Sequence, residues 1–277
     1  MNELLRHIAA CNNAILPGGR LPVMMAGQQV GWVLPAAAEA AAALGARLDA
    51  AGLHLEPEGL AAVSRRMAAA GVFYWRAEAF DVRARPDGPV LGQIDRGALP
   101  AFGIAATGVH VNGLVGDRLW VARRAQDKRL DPGKLDHIVA GGVPAGHSVA
   151  QTLVKEGEEE AGVPPALMRQ AQPVATIFYA MERAEGLRRD VLHCFDLELP
   201  EDFQPEPTDG EVEAFELWPL GQVLETVRGT DDFKFNVNLV LIDLLIRRGL
   251  VGDPEAAQLR QALAAGRAAQ DGPAASR

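Results

Sequence analysis

The sequence predicts a mixed α/β (α+β) fold in which a smaller N-terminal unit precedes a larger one. Helical and short extended segments alternate over residues 1–100, whereas longer alternating strands surround a short acidic helix over residues 101–252. A chain of 277 residues is also long enough for two cores, because single cores stop growing near about 250–300 residues. Residues 253–277 are predicted to form a C-terminal helix and a frayed tail.

In the N-terminal unit, each element is predicted from its periodicity and from proline or glycine at its ends. The expected helices are 2–13, 35–48 and 57–71. The expected extended segments are VMMAGQQVGWVL (23–34) and FYWRAEAFDV (73–82), and GALPAFGIAATG (97–108) is expected to join the two units. The role of this unit is not assigned by its sequence.

In the larger unit, alternation predicts strands, and TGVHVNGLV with RLWVARR should pair around the turn Gly116-Asp117. Further strands are expected at HIVAGG, AQPVATIFYAM, DVLHCFDLEL and EVEAFELWPL, with ERAEGLRR connecting the second and third of these. Helices are expected at 220–229, 236–249 and 253–270, followed by the frayed segment DGPAASR (271–277).

The composition, 48% hydrophobic and 23% charged, is typical of globular proteins. No apolar run reaches the roughly 18 residues of a membrane span, and MNELLRHIAACNN lacks signal-peptide features, so we expect a cytoplasmic protein with no membrane partner. The net charge of −9 argues against nucleic acid as the main partner but allows a small anionic ligand held through metal ions.

The two cysteines, Cys11 and Cys194, are far apart in the sequence and should be buried free thiols.

The acidic helix lies within GGVPAGHSVAQTLVKEGEEEAGVP, residues 141–164. Ser148 is a plausible N-cap, and Gln151, three residues later, completes a capping box. Gly162 and then Pro164 should end the helix. These signals fix both ends, so the angular position of each side chain can be predicted.

Three glutamates, Glu156, Glu159 and Glu160, are predicted to share one face, at i, i+3 and i+4. Like charges at i, i+4 cost a few tenths of a kcal/mol, and the C-terminal end of a helix disfavours negative charge further. Mg²⁺ or Mn²⁺ would offset this repulsion, because these hard cations take oxygen ligands. Gly141 would let a backbone carbonyl approach such an ion. A solvated surface helix, with Glu158 as its most solvated acid, is the alternative.

The spacing of these residues resembles the Nudix box, Gly-x5-Glu-x7-Arg-Glu-U-x-Glu-Glu-x-Gly-U, where U is a bulky aliphatic residue. The matching positions are Gly141, Glu156, Glu159, Glu160, Gly162 and Val163. The departures are His147 for glutamate, Lys155 for arginine and Gly157 for an aliphatic residue. The resemblance implies a Nudix α/β/α sandwich with a mixed sheet and Mg²⁺-dependent hydrolysis of a small-molecule diphosphate.

A wider resemblance involves FGIAATGVHVNG, LWVARRAQDKRLDPGKLDHIVAGG and DDFKFNVNLVLIDLLIRRG. These segments are similar to the Nudix subgroup related to the domain that accompanies thiamine pyrophosphokinase in some fungi. That similarity implies a thiamine diphosphate phosphatase-like enzyme that prefers oxidised substrate forms. It also implies an N-terminal domain of unassigned role.

The resemblance implies a ligand set of Glu156, Glu159 and Glu160, with the Gly141 carbonyl as a possible further ligand and Glu156 as a candidate general base. A carboxylate outside the box commonly completes such a site. The candidates are Glu211 and then Glu213, and solvated turn acids are an equal alternative.

Four basic residues are candidates for binding the diphosphate: Arg123, Arg124, Lys134 and Lys155. Alternation sends one of the two arginines inward, where it could clamp phosphate; a surface pair is the alternative. Lys134, with Lys128 and Arg129, lies in a polar loop that could equally be solvated. Lys155 could pair with a box glutamate or with phosphate. Trp75 and Trp120 could stack an aromatic group but fit core positions as well.

The histidines are treated as structural, with His110, His137 and His193 expected to be packed in strands. His147, at the entrance to the acidic helix, is the exception whose titration would be informative. Two other functions remain open: a nucleoside diphosphate-X pyrophosphatase, and a silent Nudix protein that binds a ligand without turnover. Isomerisation would need a reactive pocket cysteine, which Cys194 in mid-strand does not offer. A homodimer is possible.

Overall fold

The computed structural model describes residues 3–208 and 210–271 as a mixed α/β protein. The predicted fraying of 271–277 falls outside the described residues from position 272 onward. The first helix is α1 (Leu5–Cys11). The N-terminal unit then contains β1 (Leu21–Met25), β2 (Gln28–Val33), α2 (Pro35–Ala43), β3 (Arg47–Asp49), β4 (Gly52–His54), α3 (Leu60–Ala69), β5 (Ala79–Val82), β6 (Gly92–Asp95) and α4 (Ala98–Ala101).

This unit has its own sheets and core. Strands β2-β1-β4-β3 form one sheet, with β1 and β2 as an antiparallel hairpin, and β5 pairs with β6 separately. A continuous apolar cluster joins Val23, Leu53, Met67 and Phe80, all of which are buried. The unit therefore has a hydrophobic core in addition to the one that surrounds the larger sheet.

The helix predicted over 2–13 spans only Leu5–Cys11, and the extended segment predicted over 23–34 is divided between the hairpin strands β1 and β2. Three further predictions in this unit were too long. The helix predicted over 35–48 ends at Ala43, because Gly45 has φ 110°, and a strand follows. The helix predicted over 57–71 begins only at Leu60, after Gly59 with φ 88°. The strand predicted over 73–82 is extended only in β5, because Ala77 takes φ 59° and interrupts it.

The larger unit is built on one mixed sheet. Its strands are β7 (Ala105–Val115), β8 (Arg118–Arg124), β9 (Leu135–Asp136), β10 (Val139–Gly142), β11 (Gln172–Arg183), β12 (Gly186–Glu198) and β13 (Val212–Pro219). Its helices are α5 (Val149–Ala161), α6 (Pro165–Met168), α7 (Leu220–Gly229), α8 (Val237–Arg247) and α9 (Glu255–Asp271). The sheet order is β11-β12-β7-β8-β13, with β10 beside β7 and β9 beside β8.

The register confirms the predicted turn at Gly116-Asp117, because Val115 faces Arg118 across β7 and β8. Strand β12 runs parallel to β7, whereas its hairpin partner β11 is antiparallel, so the sheet is mixed. The predicted connection 182–189 is wrong, since the two strands continue through most of it and leave only a tight turn between Arg183 and Gly186.

Helices cover both faces of this sheet, as alternation along its strands requires. Val109 and Trp120 face α5 and α6 and pack with Leu153. Leu114 and Val121 point to the opposite face, which is covered by α7, α8 and α9. Helix α1 also packs on this second face through the buried side chains of Leu4 and Ile8. The result is the α/β/α layering expected from the sequence.

Two further expectations can be checked within the described residues. Cys11 and Cys194 are buried and free, as predicted. Burial raises the pKa of the Cys11 thiol to about 12, so it stays protonated and unreactive. Across 3–208 and 210–271, no helix combines the length and apolarity that a bilayer crossing requires.

Candidate active site

Helix α5 begins and ends where the sequence predicted. The Ser148 side chain accepts a hydrogen bond from the Gln151 backbone N–H at 3.2 Å, and the Gln151 side chain accepts one from the Ser148 N–H at 2.8 Å. This reciprocal pair is the predicted capping box. At the other end Gly162 adopts the left-handed conformation, with φ 63°. Because both ends are fixed, the side chains of α5 have a defined orientation.

Gly157, where the box motif has an aliphatic residue, is explained by packing. A Cβ atom at this position would lie 2.1 Å from Cε and 3.1 Å from Cγ of Met168. Met168, in α6, is completely buried in the cluster that also contains Leu153. The methionine therefore fills the space that a side chain at 157 would need.

Gly157→Leu is expected to destabilise the protein by about 1–3 kcal/mol, because a well-packed core does not accept extra volume. Urea denaturation would measure the change in the free energy of unfolding. The matched control is the double variant Gly157→Leu/Met168→Ala, which removes the colliding side chain and should recover a large part of the loss. An unchanged unfolding midpoint in the single variant would show that Met168 does not hold this space.

The box glutamates differ sharply in exposure. Glu160 is only 8% exposed, and one of its carboxylate oxygens accepts the Ala140 backbone N–H at 2.8 Å. Burial raises the pKa of Glu160 to about 8. Burial also raises the pKa of Glu156, which is partly buried, whereas Glu159 and Glu158 are exposed. Two carboxylates of α5 are thus removed from water, which is costly for an anion without a cation nearby.

Lys155 supplies one such cation. Its ammonium group donates to Glu156 at 3.1 Å and also to Glu159. The hydrogen bond to Glu159 is the main cause that raises the pKa of Lys155 to about 12. Of the two roles considered for Lys155, the structure shows the pairing with box glutamates. No ion pair of Glu160 with a basic side chain is seen in the described part of the chain.

Gly141 lies directly against Glu156. A Cβ atom at position 141 would be 2.5 Å from Cγ and 2.7 Å from Oε2 of Glu156. Any side chain there would displace the glutamate, so the glycine is required by close packing of β10 on α5. The role of the Gly141 carbonyl as a ligand stays a prediction.

The two outside candidates, Glu211 and Glu213, are separated by the structure. The negative charge of Glu211 contributes to the raised pKa values of both Glu156 and Glu160, so its carboxylate lies near the box. Glu211 also forms an ion pair with Lys128. Glu213 instead accepts the backbone N–H of Gln126 at 3.0 Å and holds the following loop. Glu211 is therefore the better placed of the two.

This set of side chains fits a hard divalent cation. All its donors are carboxylate oxygens, and two of them, on Glu156 and Glu160, are partly or fully buried with raised pKa values. Such groups ionise readily only when a cation replaces the lost water. Glu156, Glu159, Glu160 and Glu211 would hold Mg²⁺ or Mn²⁺, both of which prefer oxygen ligands.

The basic candidates are arranged differently from the prediction of a phosphate clamp. Arg123 points outward, 3.8 Å from Glu216. Arg124 points inward, as alternation predicted, but its guanidinium donates to Asp136 at 2.8 Å and to the Leu130 and Asp131 carbonyls. Lys134 donates to the Asp231 carbonyl. Arg124 thus holds the loop 125–134, and Lys134 attaches the end of this loop to Asp231.

A second polar cluster lies in the core, formed by His110, Asp136 and His137. The Nδ1 atoms of the two histidines are 3.2 Å apart, and burial lowers the pKa of His137 to about 4. Burial alone would raise the pKa of Asp136, but the positive charges of Lys234 and Arg124 lower it. Because Asp136 is already paired with two cations, this cluster suits a divalent ion less well than the glutamates do. His110 is buried in β7, as expected, whereas His137 is buried in the connection between β9 and β10 and not in a strand.

The remaining candidate residues, two tryptophans and two histidines, differ in burial. Trp120 is buried in the core. The guanidinium of Arg65 lies 5.5 Å from the Trp75 ring. His147 is exposed beside the Ala145 carbonyl, and His193 is partly buried.

Comparison with known proteins agrees with the box geometry. Residues 103–237 match the model of the NUDIX domain. This match spans just under half of the chain. It is 46% identical over 180 residues to Nudix hydrolase 20, chloroplastic, of Arabidopsis thaliana, covering 64% of this chain and 48% of that protein. Nudix hydrolase 24, chloroplastic, of the same plant is 46% identical over 180 residues, with coverage of 64% and 49%.

An uncharacterized protein of Saccharomyces cerevisiae is 32% identical over 199 residues, which cover 65% of this chain and 57% of that protein. The chain thus spans about half the length of the curated relatives it matches. The predicted resemblance to Nudix hydrolases is confirmed for this part of the chain. The thiamine-related subgroup, the cytoplasmic location and the roles of individual residues stay predictions.

Stability of the metal-free protein is expected to fall as pH rises from about 4.5 to about 8. The unfolded chain releases the Glu160 proton near the ordinary pKa of 4.5, whereas the folded protein keeps it until about 8. In this window the folded state binds more protons, so rising pH favours unfolding. Urea midpoints at pH 5, 6.5 and 8 in a chelator would measure the slope. Glu160→Gln should flatten it, and equal slopes in both proteins would contradict the assignment.

The sequence analysis missed two buried charged residues near the glutamates of α5, Asp136 and Lys234. Both are buried, and Lys234 Nζ lies 3.3 Å from Asp136 Oδ2. A signal was present: Lys234 stands between Phe233 and Phe235 in DDFKF, and Asp136 directly precedes the segment HIVAGG. An ionisable residue within an apolar segment indicates a buried pair, because an unpaired charge there would be too costly.

Proposed function

We propose that this protein is a Mg²⁺-dependent hydrolase that cleaves the diphosphate linkage of a small organic molecule. The observation that carries this proposal is that Glu156 and Glu160, two largely buried carboxylates of α5, lie close enough to Glu211 for its charge to add to the raised pKa values that burial gives them. Such a set is costly for a fold to maintain unless divalent cations occupy it. Homology to Nudix hydrolases supports the same reaction class.

The chain's own groups have separate roles in this proposal. Mg²⁺, when bound, would neutralise phosphate oxygens and position the attacking water. Glu156, partly buried and pressed against Gly141, is the candidate proton acceptor. Glu160 anchors the site by accepting the Ala140 N–H. Lys155 neutralises Glu156 and Glu159 before the ions bind and would be released to meet phosphate oxygens afterwards.

For the substrate, we propose thiamine diphosphate and its oxidised analogues. The support is the similarity of segments outside the box, such as DDFKFNVNLVLIDLLIRRG, to the thiamine-related subgroup. A cytoplasmic location and a possible homodimer belong to the same proposal. Nucleoside diphosphate-X compounds remain the competing substrates.

The test is hydrolysis of oxythiamine diphosphate, thiamine diphosphate, ADP-ribose and nucleoside triphosphates, each with Mg²⁺ and with a chelator. The organic products are separated by chromatography, because cleavage of ADP-ribose yields AMP and ribose 5-phosphate without free phosphate. We expect Mg²⁺-dependent turnover that is fastest on oxythiamine diphosphate. Turnover confined to nucleotides would reject the substrate but keep the reaction class. If no diphosphate is hydrolysed while Glu159→Gln still binds ligand normally, the protein is a silent binding protein.

A further inference from the structure

The N-terminal unit is attached to the segment that leads into α5. The Ala145 N–H donates to the Ala79 carbonyl at 2.8 Å, which joins β5 to this segment. Beside it, Phe80 is buried, and a Cβ atom at Gly142 would lie 2.6 Å from its Cζ atom. The position of β5 relative to the Nudix box is therefore fixed by direct contact.

Tyr74, five residues before β5, links the two units a second time. Its side chain is 57% exposed, and two guanidinium groups lie against its ring. The Cζ atom of Arg129 is 4.1 Å from the ring centroid, and that of Arg76 is 5.4 Å away. Arg129 belongs to the Nudix loop 125–134, whose neighbouring Lys128 pairs with Glu211. The aromatic contact therefore borders the same loop as the glutamate site.

Arg76 and Arg129 differ from the other arginines nearby. Arg96 pairs with Glu78 at 2.8 Å, and Arg188 pairs with Asp190 at 3.0 Å. Within 3–208 and 210–271, by contrast, neither Arg76 nor Arg129 forms an ion pair with a carboxylate. Burial, followed by the positive charges of Arg96 and Arg129, lowers the pKa of Arg76. Positive charge is therefore in excess at Tyr74.

We propose that Arg76 and Arg129, held on Tyr74, bind a phosphate group of an organic diphosphate. Two planar guanidinium groups without carboxylate partners match the geometry of phosphate oxygens, and stacking on an aromatic ring pre-orients them. The N-terminal unit thereby contributes a substrate-binding residue to a site otherwise built by the Nudix domain. The identity of the ligand as a substrate rests on the proposed function; the anion site itself does not.

Because the site itself can be tested without turnover, the first measurement is calorimetric titration of inorganic pyrophosphate at low ionic strength in a chelator. The wild type should bind pyrophosphate, and the double variant Arg76→Gln/Arg129→Gln should bind it roughly tenfold more weakly or worse. Arg65→Gln is the matched control, because Arg65 also lies on an aromatic ring of this unit but contacts Trp75 and not Tyr74, with its Cζ atom 5.5 Å from the Trp75 centroid. It should bind pyrophosphate as the wild type does.

The second measurement is steady-state hydrolysis of the best organic diphosphate with saturating Mg²⁺. The double variant should show a KM raised roughly tenfold with kcat within about twofold of wild type. In the pyrophosphate titration, the conservative variant Arg76→Lys/Arg129→Lys should recover part of the affinity that Arg76→Gln/Arg129→Gln loses. The proposal is overturned if wild type does not bind pyrophosphate, if the double variant binds it equally well, or if Arg65→Gln loses as much. Absence of turnover on every diphosphate would refute the proposed function, and the metal-free titration would still decide the anion site.

Discussion

Glu160→Gln is expected to lower kcat/KM for diphosphate hydrolysis roughly 100- to 1,000-fold. A metal ion contributes several kcal/mol to stabilising the charge of such a reaction, and each 1.36 kcal/mol is a factor of ten in rate. The amide can still accept the Ala140 N–H that Glu160 accepts now, so the helix should keep its position. Steady-state kinetics over a Mg²⁺ titration would measure the loss.

Glu158→Gln is the matched control for this experiment. Glu158 lies on the same helix and carries the same charge, but it is exposed and outside the face formed by the box glutamates. Its variant should keep kcat/KM within about twofold of wild type, since a solvated carboxylate contributes little. Equal activity losses in the two variants would mean that the net charge of α5, and not a bound ion at Glu160, controls the rate.

Asp136→Ala is expected to destabilise the protein by about 3–5 kcal/mol, because it leaves two buried cations without their partner. Arg124 lies 2.8 Å and Lys234 lies 3.3 Å from the Asp136 carboxylate, and all three side chains are largely removed from water. Urea denaturation at neutral pH would measure the free energy of unfolding. Arg124 also holds the loop 125–134, so activity should fall together with stability.

An exposed ion pair supplies the comparison. Glu198 is exposed and pairs with Arg248 at 2.6 Å. Glu198→Ala should cost less than about 1 kcal/mol, because solvent screens such pairs. If Asp136→Ala cost no more than this control, the buried cluster would not contribute to the stability of the larger unit.

Local signals explain why the acidic helix was predicted accurately. Ser148, Gln151 and Gly162 determine the ends of α5 through contacts within a few residues, and helical periodicity then places the glutamates. The paired strands around Gly116-Asp117 were predicted for the same reason, since alternation and the turn are read from adjacent residues.

Contacts between distant residues were not predictable in this way. The fit of Met168 against Gly157 could be recognised only after α6 was placed, and that of Phe80 against Gly142 only after the two units were joined. Alternation along β8 predicted that one of its two adjacent arginines points inward. That Arg124 pairs with Asp136 depends on the register between β8 and β9, which adjacent residues do not determine. In the N-terminal unit, Ala77 interrupts a sequence with high strand propensity through its own backbone conformation.

Crystals grown with abundant Mn²⁺ and measured at a wavelength where manganese scatters anomalously would test the account most directly. We predict an anomalous peak coordinated by carboxylate oxygens of α5, with Lys155 displaced from Glu156 and Glu159. Carboxylates that point into solvent with no ion among them, or a peak only at His110 and His137, would contradict the account.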